Sequence, residues 1–204
     1  GKLNLDDKVS TYIPELKYQG LTTDAAPITI RDLLTHSAGF PEDNPWGDRQ
    51  LEKSAQELLA LIKKGIHFST ATGLSYEYNN VGFTMLGYII EKVTGKTYAD
   101  YMMENIFKPA GLKNTHVYST AVYPKIPVDV VGHDRTWRYS VVQNFLDGPV
   151  GDKGIYSTLH DLVLYDKYLK NGRLLSKNSL DVIAVYEGCK IFELKFFDFW
   201  FQIY

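Results

Sequence analysis

The sequence predicts an α+β chain in which helices dominate and strands are few and short. Three observations carry that prediction. Capping patterns at 29–32, 54–57, 97–100 and 158–161 each begin with Ser or Thr and precede apolar residues at helical spacing. One long run, 80–94, places apolar residues at 81, 83, 85, 86, 89, 90 and 93, close to a single helical stripe. The β-prone runs at 116–120, 128–131 and 137–142 are short, and Pro124 and Pro127 limit their pairing.

Taken in order, residues 1–14 read as a turn, a short helix beginning near Asp6 and a stop at Pro14. Residues 15–27 carry Gly20, Asp24 and Pro27 and read as loop. Thr29 and Asp32 form a capping box with Asp in the Glu position, opening a short helix through Ile30, Leu33 and Leu34. Gly39 is the residue suited to a left-handed cap at its end. Residues 40–50 are turn formers around Trp46. Ser54 and Glu57 open a helix whose apolar face is Leu58, Leu59, Leu61 and Ile62, running up to Gly65.

Residues 66–78 show no helical period and read as loop or short extended chain. The helix from Asn80 to Thr94 follows, stopped by Gly95. Gly82 and Gly87 each cost it about 1 kcal/mol relative to Ala, so their use there is to permit close packing. Thr97 opens a helix through Tyr101, Met102 and Ile106, ending before Pro109 and Gly111. Residues 148–154 form a glycine-rich loop, and Thr158 opens a helix through Leu162, Val163, Tyr165, Tyr168 and Leu169 to Asn171 and Gly172. Ser176 caps one more, from Lys177 to about residue 186. The last segment, 191–204, holds five Phe, one Trp and one Tyr in strand-like alternation. Left unpaired, it would be an aggregation hazard.

Composition narrows the partners. The chain has 204 residues, 45% hydrophobic and 23% charged, enough for a core and for one domain or a little more. A net charge of −2 gives no reason to expect nucleic acid or an anionic membrane surface. No run approaches the roughly 18–20 apolar residues of a membrane span. Cys189 is the sole cysteine, so no internal disulfide can form. The chain opens at Gly1 with no signal-peptide pattern, and we expect it to be a central piece of a longer protein.

A search for chemistry starts with metals and nucleotides. His36, His67, His116, His133 and His160 show no metal-ligand spacing, so no metal is expected; each reads as structural or exposed. The 148–154 loop is not a dinucleotide fingerprint, there is no P-loop, and no cofactor is expected. Ser37, in THSAG at 35–39, resembles a nucleophile elbow only partly: Thr35 stands where the first Gly belongs, and a helix rather than a strand precedes it. It reads as a helix terminus, with a Ser37-based esterase as the weaker alternative. What remains is Tyr78-x-Asn80, a phenol and an amide two residues apart at the start of the long helix. Alone, that is equally a core tyrosine before an Asn N-cap.

The surrounding blocks change its weight. Residues 1–15 (GKLNLDDKVSTYIPE), 28–39 (ITIRDLLTHSAG), 73–80 (GLSYEYNN), 87–95 (GYIIEKVTG), 106–115 (IFKPAGLKNT) and 151–162 with 172–176 occur in one order. In that order they resemble the serine β-lactamase, penicillin-binding-protein and D,D-peptidase superfamily, particularly its class C-like branch. The resemblance implies the β-lactamase/D,D-peptidase-like fold, with this chain supplying chiefly the mainly helical domain. It implies Tyr78 as general base and later acid, and Asn80 as the group that orients a lysine and hydrogen-bonds substrate. It also implies acyl-enzyme hydrolysis of β-lactam, D-Ala peptide or ester bonds, and periplasmic, secreted or envelope-associated work. At the middle position of the motif, Asn79 replaces the usual Ser.

Two further motifs of the family are missing from this sequence. None of its ten serines has lysine three positions later, so S-x-x-K is absent, and neither K-[ST]-G nor H-x-G occurs. The expectation is therefore a partial domain over 1–190 and an aromatic tail, 191–204, outside the family pattern. The chain alone would be catalytically inactive, because no serine is placed for the covalent step. Its partner would be the small-molecule or peptide substrate of the parent enzyme, and apolar surface left exposed would favour self-association. The alternative is a non-catalytic binding module on the same helical scaffold.

Overall fold

The computed structural model of the chain describes residues 2–17, 20–42, 54–117, 151 and 154–179. They form two compact units: residues up to Tyr98 with Gly151, and 99–117 with 154–179. The runs expected at 128–131 and 137–142, most of the 148–154 loop and the 191–204 tail lie outside the described residues. Among the described residues helix dominates, with one short antiparallel strand pair.

In the first unit, 3-10 turns at Val9–Thr11 and Pro14–Leu16 are followed by helices Ile30–Leu34 (α1), Ala55–Lys63 (α2) and Asn80–Thr94 (α3). The helix expected near Asp6 is only the first 3-10 turn. Asp7 is engaged before it: its carboxylate accepts the Asn4 N–H at 2.9 Å and the Tyr12 hydroxyl at 2.8 Å. That turn is tied to the start of α1 by Val9 N–H to Ile28 O and Ile30 N–H to Asp7 O. Both capping boxes form as the sequence predicts, Thr29 with Asp32 and Ser54 with Glu57.

The helix α3 has the predicted bounds and organises this unit. Its buried stripe, Val81, Met85 and Ile89, has i, i+4, i+8 spacing and meets Val9, Ile13, Leu33 and Phe40 in one core. Each such side chain contributes about 1.5–3 kcal/mol on burial. Gly82 does permit close approach. A Cβ on Gly82 would sit 2.8 Å from Asn79 Oδ1 and 3.5 Å from Leu33 of α1, while Gly151 packs against the backbone of Phe83 and Gly87.

The end of α1 corrects the sequence reading. Its left-handed residue is His36 (φ 54°), not Gly39. The Ser37 N–H bonds to Asp32 O and the His36 N–H to Leu33 O, which is a Schellman closure with histidine in the place usually given to glycine. Gly39 is also left-handed (φ 86°), but its work is elsewhere: a Cβ there would lie 2.4 Å from the Thr70 carbonyl oxygen.

The chain continues through Tyr98–Met102 (α4), whose first residue closes the first unit, and then in the second unit through a π-helical turn at Met103–Phe107 and Lys108–Ala110 (α5). Helix thus runs past Pro109 to Ala110, two residues beyond the predicted stop. The π turn shifts the hydrogen-bond register just before the proline, so Pro109 enters as in the first turn of a new segment, where no N–H is needed. Strands His116–Val117 (β1) and Ile155–Tyr156 (β2) pair antiparallel. The second was not predicted, because two residues carry no periodicity.

Helix Leu159–Lys170 (α6) starts on Thr158 as expected. Its Asp161 does not complete a capping box. The carboxylate, 1% exposed, instead accepts the Asn114 N–H at 2.7 Å and the Thr115 hydroxyl at 2.9 Å, tying α6 to the lead-in of β1. Ser176 accepts the Ser179 N–H, and the helix expected beyond it leaves the described residues.

Candidate active site

The two sequence-predicted site residues sit at the amino end of α3, and the local sequence explains why. Asn79 has extended backbone (φ −147°, ψ 143°) and is the N-cap: its Oδ1 accepts the Gly82 N–H at 2.9 Å. Its Nδ2 donates to Glu77 O at 2.9 Å, so both ends of the amide are used. With the cap held on both sides of it, the chain places Tyr78 just outside the helix and Asn80 on the first turn. The Tyr78 hydroxyl donates to Asn80 Oδ1 at 2.8 Å. Asn80 is buried and Tyr78 half-buried, so the pair joins the core to the surface.

A second segment supports this one from below. Residues 36–39 and 69–79 are zipped together: Ser69 N–H to Gly39 O, Gly73 N–H to Ser37 O and Glu77 N–H to His36 O. A side chain adds to the zip, since Thr72 Oγ1 donates to Ala38 O, and within 69–79 Ser69 Oγ donates to the Glu77 carboxylate. The last stitch uses a side chain: the Asn79 N–H donates to His36 Nδ1 at 3.2 Å. The His36 ring lies 4.8 Å from the rings of Tyr78 and Phe83 and 5.5 Å from that of Tyr76.

Sequence reasoning placed Tyr78 and Asn80 together, and the structure does the same. It assigns His36 only a structural or exposed role and gives no link to Asn79, because a contact spanning 43 residues leaves no trace in spacing. The clue lay in the two blocks 28–39 and 73–80, read separately. Ser37 is a helix terminus: its hydroxyl lies 2.8 Å from Thr35 Oγ1 and donates to Asp32 Oδ1 at 3.3 Å. Among the described residues, no group of His, Cys, Asp or Glu is arranged to hold a metal ion, and no helix is long and apolar enough to cross a membrane.

Residues 1–184 match the sequence profile of the family described as Beta-lactamase. The chain belongs to that family. Its members are β-lactamase-related serine hydrolases, and the match extends well beyond the 73–80 block. The chain is 30% identical over 199 residues to penicillin-binding protein 4* of Bacillus subtilis (strain 168), covering 88% of this chain and 42% of that protein. It is 27% identical over 204 residues to a putative D-alanyl-D-alanine carboxypeptidase of Salmonella agona (strain SL483), covering 84% of this chain and 46% of that one. A class C β-lactamase crystal structure superposes with a TM-score of 0.62 at 25% identity, over 86% of this chain and 46% of that chain. The chain thus spans a little under half the length of these relatives.

The cap explains why Asn79 can stand where the resemblance implies Ser. Both residues accept an N-cap hydrogen bond, and both leave Tyr78 and Asn80 in place. Asn79→Ala is expected to destabilise the first unit by about 2–3 kcal/mol, the lost cap plus a stranded Glu77 carbonyl. Asn79→Ser keeps a cap acceptor but not the Nδ2 donor to Glu77 O, and is expected to cost about 1–2 kcal/mol. Urea denaturation of the three proteins checks this, and equal losses in both variants would show that the cap is not what matters.

Proposed function

We propose that this chain is the Tyr-x-Asn part of a serine acyl-transfer enzyme, a partial domain whose nucleophile and third substrate-binding motif come from outside it. The observation that carries the reading is the hydrogen bond from Tyr78 Oη to Asn80 Oδ1, held at the start of a capped, buried helix. In the reaction, a serine hydroxyl adds to the carbonyl carbon of an amide, β-lactam or ester. Its proton passes to the Tyr78 oxygen, and the tetrahedral intermediate then expels the leaving group, which takes that proton from Tyr78. Water repeats the sequence on the acyl-enzyme.

Asn80 suits both protonation states of such a phenol. Its carbonyl oxygen accepts from the neutral hydroxyl; with the amide turned over, its NH₂ donates to the phenolate. A nearby cation, supplied in this reading by the lysine of S-x-x-K, favours the charged form. Substrate would be a D-Ala peptide, β-lactam or ester, the first in keeping with the carboxypeptidase relative.

Incubating the purified chain with a fluorescent penicillin or a fluorophosphonate is expected to give no covalent label, since no serine in it has the partner lysine. Stable labelling would place the nucleophile inside this chain and sink the proposal. The competing reading, a non-catalytic binding module, rests on the same two missing motifs. It predicts saturable ligand binding by the full-length protein without turnover, where the catalytic reading predicts acylation.

A further inference from the structure

The left-handed His36 lies beside the Tyr78–Asn80 pair and has no part in the proposed chemistry. A glycine would hold φ 54° without strain, whereas a residue with a side chain is strained there. The side chain at this position makes a specific contact in return. Its Nδ1 accepts the backbone N–H of Asn79, the residue between Tyr78 and Asn80, and its ring packs at a tilt against Tyr78 and Phe83. Accepting that bond requires a bare Nδ1, so the neutral imidazole carries its proton on Nε2. The Asn79 N–H precedes the helix and would otherwise have to find an acceptor beside a buried cap.

We infer that His36 is a positioning residue for the Tyr78–Asn80 pair, fixing the motif's middle backbone amide through its Nδ1 lone pair. The inference rests on the functional reading above for its consequence, though not for its geometry. It differs from simple packing in what it requires of the atom, since a ring of the same shape without a lone pair would not serve. The geometry also selects the substitutes. Asn Oδ1 is as many bonds from the backbone as His Nδ1, and asparagine tolerates the left-handed region. Phe keeps the ring and puts a carbon in the acceptor's place.

The test is made on the 204-residue chain by NMR. Long-range ¹H–¹⁵N correlation of the wild-type imidazole is expected to show the Nε2–H tautomer. In His36→Phe the Asn79 amide is expected to exchange with solvent about ten-fold faster, with α2 and α6 amides unchanged. In His36→Asn it is expected to stay within about three-fold of wild type. A proton on Nδ1, unchanged exchange in the Phe variant, or equal acceleration in both variants would each overturn the inference. The tautomer measurement stands even if the Phe variant does not fold. Covalent labelling by a fluorescent penicillin would overturn the functional reading and leave these exchange results untouched, so the two failures are distinguishable.

Discussion

Tyr78→Phe, in a protein that carries this chain together with an S-x-x-K segment, is expected to slow acylation by about 10²–10⁴-fold. The substitution removes one oxygen and leaves the ring in its tilted contact 4.8 Å from His36. It also removes the hydrogen bond to Asn80, worth about 1 kcal/mol. That is too little to unfold the helix start, so the loss belongs to proton transfer and falls on kcat rather than KM. Stopped-flow acylation by a chromogenic β-lactam, with circular dichroism to confirm the fold, measures it. An acylation rate within three-fold of the parent would mean that another group moves the proton, and Tyr78 would become a core tyrosine in front of a capped helix.

That bland alternative was available from the sequence, and the way the structure bears on it shows what was legible. Local chemistry could be read. Thr29 with Asp32, Ser54 with Glu57 and the bounds of Asn80–Thr94 involve partners within a few residues, so spacing alone determines them. The Tyr78–Asn80 contact is of the same kind, two residues long. What could not be read depends on distant partners or on competition between nearby residues. Gly39 looked like the left-handed cap because glycine is free there, yet the Schellman geometry falls three residues earlier on His36. Asp161 sat in a capping pattern, but Asn114 and Thr115, 47 and 46 residues away in sequence, take its carboxylate. Pro109 ends a regular helix by rule, and only the π turn before it lets the chain continue.

Gly39 carries the second large effect, and it follows from that same correction. Gly39→Ala is expected to destabilise the first unit by about 3 kcal/mol, the sum of left-handed strain and overpacking. For a chain of this size that lowers the unfolding midpoint by roughly 6–12 °C. The steric part can be separated from the backbone part, because Gly65 (φ 105°) and Gly73 (φ 79°) have positive φ as well, with nothing within 4 Å of an added Cβ. Gly65→Ala and Gly73→Ala bear the strain alone and are expected to cost about 1–2 kcal/mol each. The excess at Gly39 reports how closely 36–39 lies against 69–79, since the group it meets is the Thr70 carbonyl oxygen, a backbone atom that cannot swing aside. Relief of that clash would part the two segments, and the Gly73–Ser37 and Glu77–His36 hydrogen bonds would lengthen with it. Gly39→Ala therefore reaches Tyr78 through the backbone, and its Asn79 amide should exchange faster while His36 is still present. Differential scanning calorimetry of the three alanine variants decides the matter: equal midpoints would show that the zip yields without strain, and that the platform under the Tyr-x-Asn pair is looser than its hydrogen bonds indicate.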